Sequence, residues 1–322
     1  MRLQVTAVQA RWSLDMYDDA MAFEGRVRRL MDWANERRDA DLPHLVVFPE
    51  FIGLPLIFLD VCGAVKDCVR WREAGMVLAQ RYGEDVAQYC HKFGVSPTRG
   101  LLLALSGKVH DVYVQTFSQA AAEYRCYVIA GSAALPDMES SHDFSRGNVY
   151  NVSYFFAPDG SLIGTQKKVH LFEEEGTPEG LDLVAAPPAD ARAFPTEFGN
   201  VGIALCLDAF HDDVMGALAA QGASIVAQPS ANPREWDEWQ AADWKRGIHQ
   251  KVQDNPALQY GINPMMVGSL FAWDDELSCQ GRSSIVTKTD LTPDESGYIA
   301  LASNQPWSRY TKEEIVTAEV EL

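Results

Sequence analysis

Short apolar runs along this chain alternate with stretches in which apolar residues return every three or four positions. Residues 2–10 alternate as a strand does, and residues 44–48, HLVVF, form a compact apolar run that predicts a short buried strand. Between them Phe23, Val27, Leu30, Met31 and Ala34 share one face at helical spacing, which predicts a helix over about 18–37. Residues 51–109 carry a weaker pattern: Gly/Pro loops, a helix around 73–92, then a Gly-Val-Ser-Pro loop. Tyr113, Thr116, Phe117, Ala120 and Tyr124 mark a further helix, and residues 126–131, CYVIAG, a further strand.

Residues 148–157 and 161–169 flank Pro158-Asp159-Gly160, which predicts a hairpin. An apolar strand over 201–205 precedes a helix that starts at Asp212-Asp213 and stops at Gly222. Another strand covers 224–228, a helix bearing Trp236, Trp239 and Trp244 covers 234–252, and strands near 258–268, 282–287 and 297–302 close the chain. Apolar strands interleaved with amphipathic helices predict a layered α/β fold with mixed sheets. No repeat, low-complexity tract or linker divides the sequence, so residues 1–322 read as one domain.

With 322 residues and 47% hydrophobic content, the chain can bury a core without a disulfide or a metal. Its formal net charge of −18 repels nucleic-acid phosphates and anionic lipid, so neither is expected as a partner. The six cysteines contain no Cys-x-x-Cys pair, and the N-terminus has no secretory pattern. The aliphatic run Leu101–Leu105 falls far short of the ~20 residues a membrane span requires. These features predict a soluble, cytoplasmic protein with reduced thiols.

Three reactive side chains end three apolar strands: Glu50 after VVF-Pro, Lys168 at the end of the hairpin, and Cys206 after VGIAL. Ligands of α/β sheets gather at the carboxyl ends of strands, so the three can share one crevice. A carboxylate that accepts the thiol proton, and an ammonium beside a developing oxyanion, would make Cys206 a nucleophile. Taken singly, each also fits a structural role: a buried thiol, a solvated strand end, an exposed basic step. Asp208, His211, Asp212 and Asp213 resemble a metal cluster but read as the acidic start of a helix. His170 reads as a structural hydrogen-bonding residue, and the tryptophans as core and interface.

The words around the trio narrow these readings. VVFPE at 46–50, KKVHLF at 167–172 and GIALCLD at 202–208, in this order, resemble the nitrilase superfamily of carbon–nitrogen hydrolases. That family's pattern is a Glu after Phe-Pro, a Lys two residues before His-Leu, and a Cys closing a Gly-containing apolar strand; Lys168, not Lys167, holds the lysine place. VTAVQAR, Gly131-Ser132, Asn151, GASIVAQPSA and Gly281-Arg-Ser-Ser-Ile285 are similar to other family segments, over about 1–305. Leu207-Asp208 after the Cys is closer to amidase-type members than to true nitrilases, where Trp-Glu follows. The stretch 51–125 is longer than the family's and reads as an insertion beside the site.

The resemblance implies a four-layer αββα sandwich, with Cys206 as nucleophile, Glu50 as general base and Lys168 as oxyanion stabiliser. It implies a second glutamate between Lys and Cys, for which Glu173, Glu174, Glu175 and Glu179 are candidates. Glu179, in a turn between Pro178 and Gly180, is expected to fill that place and bond Lys168. A homodimer or larger homo-oligomer, a small-molecule amide, carbamoyl or nitrile substrate, and no metal or cofactor are implied as well. The expected reaction is thioester-mediated hydrolysis of a small amide or N-carbamoyl compound. Nitrile hydrolysis on the same site, or a non-catalytic binding role, are the alternatives.

Overall fold

Alternation of side chains along the strands builds two sheets that share an inner face. The computed structural model describes residues 1–136, 146–271, 278–303 and 311–322. One sheet has the order Glu314–Glu321, Arg2–Gln9, His44–Val47, Tyr127–Ile129, Tyr150–Phe156, Ala133–Leu135, with Leu162–Lys167 also paired to Tyr150–Phe156. The other has the order Tyr298–Leu301, Ser284–Val286, Tyr260–Asn263, Ala223–Ala227, Gly199–Ile203, Ala193–Thr196. Parallel and antiparallel pairs occur in both.

Leu3, Val5, Ala7, Leu45, Val47 and Ile129 of the first sheet pack on Val201, Ile203, Ile225, Ala227 and Ile262 of the second. The residues between them face the other way, as the two-residue period of a strand demands. Val46, Phe48 and Val128 meet the helices Ala20–Asn35 and Pro97–Tyr124 through Phe23, Val27 and Phe117. Ala204 and Val226 meet the helices Asp212–Ala220 and Ile248–Asp254 through Val214, Leu218 and Val252. The layers therefore run helix, sheet, sheet, helix, the αββα order expected.

Several elements differ from the expectation. The helix marked by Tyr113 to Tyr124 begins much earlier, at Pro97, with the Ser96 hydroxyl accepting the Arg99 N–H at 3.1 Å. The Gly-Val-Ser-Pro stretch is thus the junction of two helices: Gly94, at φ 65°, ends Trp71–Phe93, and Ser96-Pro97 starts the next. The tryptophan-bearing helix is two pieces, Glu238–Trp244 and Ile248–Asp254. They break at Gly247, where a Cβ would stand 3.0 Å from both the Gln228 amide nitrogen and the Phe210 ring. The strand Glu314–Glu321 was not expected; it pairs along the whole of Arg2–Gln9. Among the described residues no helix is long and apolar enough to cross a membrane.

Candidate active site

Glu50, Lys168 and Cys206 leave their strands at the same end of the sandwich and converge in its interior. Glu50 lies just past His44–Val47 and is 1% exposed. The backbone that follows it is held by Ser132, which lies between Tyr127–Ile129 and Ala133–Leu135: the Phe51 N–H donates to the Ser132 hydroxyl at 2.9 Å, and the Gly53 N–H to the Ser132 carbonyl at 2.9 Å. Gly131, at φ 71°, permits this approach, because a Cβ there would sit 2.0 Å from the Pro49 carbonyl oxygen.

Lys168 follows Leu162–Lys167 and is also 1% exposed. Its Nζ donates to Glu50 Oε1 at 2.8 Å and to Glu175 Oε2 at 2.6 Å. Lys167, on the other side of the strand, lies over the Tyr150 ring at 4.8 Å. The alternation that separates the two lysines is the one the sequence predicts.

Cys206 takes φ 47°, a left-handed conformation rare for a side-chain-bearing residue, between the strand Gly199–Ile203 and a tight turn. Its N–H donates to the Pro229 carbonyl at 2.9 Å, and its carbonyl accepts from Gln228 Nε2 at 3.0 Å. The buried Gln228 also accepts the first N–H of Ile248–Asp254, at 3.1 Å. The helix and the Cys206 turn are thereby braced on one amide. All six cysteines are free.

Glu179 does not take part. It is exposed, on the turn beyond the short helix Glu173–Gly176. The carboxylate on Lys168 belongs to Glu175, 4% exposed. One helical turn points Glu175 inward while Glu173 and Glu174 face water, so the crowding of three adjacent carboxylates is relieved. Glu175 also caps its own turn by accepting the Phe172 N–H at 2.8 Å. The loop beyond is tied to the long helix Pro97–Tyr124 through Arg99 and Asp182, 2.6 Å apart.

Two residues that the sequence reading did not place at the site complete it. Asn151 is fully buried in Tyr150–Phe156, and its Nδ2 donates to Glu50 Oε1 at 2.9 Å and to Glu175 Oε1 at 2.8 Å. A buried amide in the run YNVSYFF, aromatic and apolar apart from Ser153, was the available signal. Asp208 is fully buried and accepts the N–H groups of Val169, at 3.1 Å, and His170, at 2.7 Å. It clamps the segment just after Lys168 to the turn just after Cys206. Burial pushes its carboxyl up to about 6, against the opposing pull of those N–H groups.

The cluster sets two carboxylates against one ammonium. Burial, reinforced by the charge of Glu175, raises the Glu50 carboxyl to about 7, although Lys168 pulls it down. Burial alone would depress Lys168, but Glu175 and Glu50 outweigh it and hold the ammonium well above its ordinary value. Burial and the nearby Glu50 charge push the Cys206 thiol well up, so it rests protonated. Near neutral pH the site therefore holds a protonated thiol beside a carboxyl close to its own titration. The remaining Glu50 oxygen accepts the Ala231 N–H at 3.0 Å.

The sequence pattern of the family described as carbon–nitrogen hydrolase matches residues 4–286. Omega-amidase NIT2 of Mus musculus is 28% identical over 143 residues, 42% of this chain and 49% of that protein, so the match spans about half of that relative. Omega-amidase NIT2-B of Xenopus laevis is 28% identical over 227 residues, 66% of this chain and 77% of that protein. Saccharomyces cerevisiae Nit3, of the nitrilase superfamily, shares the fold with a TM-score of 0.62 at 20% identity, over 99% of this chain and 89% of that one. A mutant amidase from Nesterenkonia sp. AN1, with an acetamide moiety on its active site cysteine, gives 0.59 at 14% identity, over 99% and 90%.

Proposed function

Because this chain belongs to the carbon–nitrogen hydrolase family, we propose that it hydrolyses the carbon–nitrogen bond of a small amide through a Cys206 thioester. The observation that carries the reading is the buried contact of Lys168 with both Glu50 and Glu175, at 2.8 and 2.6 Å, beside the Cys206 thiol. A buried arrangement of two carboxylates and one ammonium is costly to fold, and it is intelligible as machinery for moving a proton and holding an oxyanion.

The steps follow from the positions. Glu50 takes the Cys206 proton as sulfur bonds to the amide carbon, and the carbonyl electron pair moves onto oxygen. The Lys168 ammonium and the backbone N–H of Leu207 hold that oxyanion. Collapse breaks the carbon–nitrogen bond, and protonated Glu50 gives its proton to the departing ammonia or amine. Glu50 then takes a proton from water, whose oxygen attacks the thioester; the acid leaves and the Cys206 thiol is restored. Glu175 keeps Lys168 charged and aimed, Asn151 joins the two carboxylates, and Asp208 fixes the spacing of the Lys168 and Cys206 segments. Leu207-Asp208 after the nucleophile favours an amide over a nitrile. The helices within 51–125 stand as an insertion that shapes the pocket through the Arg99–Asp182 tie.

A panel of small amides, ω-amides, N-carbamoyl amino acids and nitriles, read by ammonia release, tests the reading. Turnover of an amide and none of a nitrile is expected; turnover of nitriles alone would replace it with the nitrilase alternative. Glu175→Gln should lower kcat by about 10²-fold through misplacement of Lys168, whereas Glu179→Gln should leave kcat near wild type. Loss in the Glu179 variant alone would return the role to the turn.

The Glu50 carboxyl near 7 sets the pH dependence. The working form has an ionised Glu50, so kcat/KM should fall as pH drops through about 7 and level off above it. A profile that stays flat to pH ~5, near the ordinary carboxylate range, would mean that Glu50 is not the base.

A further inference from the structure

His170, His211 and Asp213 take no part in the reaction above, yet their side chains meet at the surface beside the site. One ligand atom from each lies within 4.8 Å of the others. The sequence places His211 and Asp213 on one stretch, and the fold adds His170 from another, in place of the buried Asp208 and of Asp212, which pairs with Lys251. His170 Nε2 is 2.9 Å from Asp213 Oδ1 and 3.0 Å from Oδ2. The Asp213 carboxylate is oriented by the Val214 N–H, which donates to Oδ1 at 2.8 Å. The imidazole of His211 lies flat on that of His170, ring centroids 3.6 Å apart and planes 9° from parallel. Among the described residues, neither ring nitrogen of His211 has a hydrogen-bond partner.

We propose that His170, His211 and Asp213 form a binding site for a late first-row divalent cation, Zn²⁺ above all. Two imidazoles and one carboxylate are a donor set that suits this metal, with bonds of about 2.0–2.1 Å and a fourth place for water. A tetrahedron of that size separates its ligand atoms by about 3.3 Å, a few tenths more than His170 and Asp213 now show. The ion replaces the proton they share. A ring nitrogen binds along its own plane, so His211 must swing out of the stack, and that swing breaks no hydrogen bond with the described residues. The net charge of −18 favours cations. The bound ion would join the segment after Lys168 to the helix start after Cys206, the connection that Asp208 makes in the interior. It would act as a staple outside the reaction, not as a catalytic metal.

The test uses the full chain with Cys206→Ala, which keeps the metal off the nucleophilic thiol, stripped with a chelator and then titrated calorimetrically with Zn²⁺. One ion per chain is expected, with a rise in Tm, because a ligand that binds only the folded state stabilises it. His211→Ala and Asp213→Asn, each at a partly or fully exposed position, should keep the metal-free Tm. Each should weaken Zn²⁺ binding by at least about tenfold and abolish the Tm rise. Cys68→Ser and Cys90→Ser should change neither. Equal Zn²⁺ affinity in the parent and in both ligand variants, or no binding by the parent beyond that of the His211→Ala/Asp213→Asn double variant, overturns the proposal.

Discussion

Cys206→Ala abolishes turnover and leaves the fold standing. The loss expected is about four orders of magnitude or more, because the nucleophile of a group that acts as a unit has no substitute. The fold survives because the backbone bonds to Pro229 and Gln228 hold the turn without the sulfur, whose contact with the Ala231 carbonyl is long, 3.9 Å. Alanine keeps the Cβ and the same left-handed conformation, so it adds no backbone strain beyond that already present. The other five cysteines lack this setting. Burial pushes Cys62 and Cys126 up to about 12 and raises Cys68 and Cys279 as well, and no lysine acts on any of these four to offset it. Each should be replaceable by Ala with most activity kept. Steady-state ammonia release and a melting curve decide the matter. Full activity in Cys206→Ala ends the thioester mechanism, and a collapsed melting curve would make the loss uninformative, in which case Cys206→Ser takes its place.

The convergence of Glu50, Lys168 and Cys206 was legible because strands advertise themselves. A run such as VVF or VGIAL is buried on both faces, its end is where the backbone escapes the ladder, and a polar residue there faces the crevice. The choice of Lys168 over Lys167 came from the family resemblance, which places the lysine two residues before His170-Leu171; the period of two along the strand then accounts for one lysine inside and one outside.

The second glutamate was not legible, and the reason is local. Read as an extended stretch, Glu173-Glu174-Glu175 is three like charges in a row. Folded as one helical turn, it turns a single carboxylate inward and leaves two in water. Only the position of Lys168 Nζ, set by a different strand, selects which one. Asn151 was equally hidden, since its partners are the two carboxylates and neither is near it in sequence. Glu314–Glu321 failed to register for another reason. Its alternation, EIVTAEVE, buries only Val316 and Val320, so as an edge strand it has too few apolar positions to stand out from a polar terminus. Its place is fixed by Arg2–Gln9, some three hundred residues earlier.

Lys168→Met should damage both catalysis and stability, and the two losses should differ in their pH dependence. The catalytic loss follows from removing an oxyanion donor, about 10²–10³ in kcat. The stability loss follows from the cluster. Without the ammonium, Glu50 and Glu175 face one another in the interior, both bonded to Asn151 and with no positive charge between them. Stripping one partner from such a buried group costs about 3–5 kcal/mol. Glu50 escapes part of that by holding its proton, so the folded variant binds a proton that the unfolded chain releases above its ordinary carboxylate range. Where the folded state binds more protons, stability falls as pH rises. The Tm deficit of Lys168→Met should therefore be smallest near pH 5, widen up to and beyond the Glu50 value of about 7, and be largest at alkaline pH. Lys167→Met is the matched control: its side chain lies on the Tyr150 ring, not in the cluster, and both kcat and Tm should stay near wild type. Melting curves and kcat/KM at a series of pH values read both quantities from one preparation. Equal losses in the two lysine variants, or a Tm deficit that narrows as pH rises, would show that Lys168 is not the counter-ion of these carboxylates.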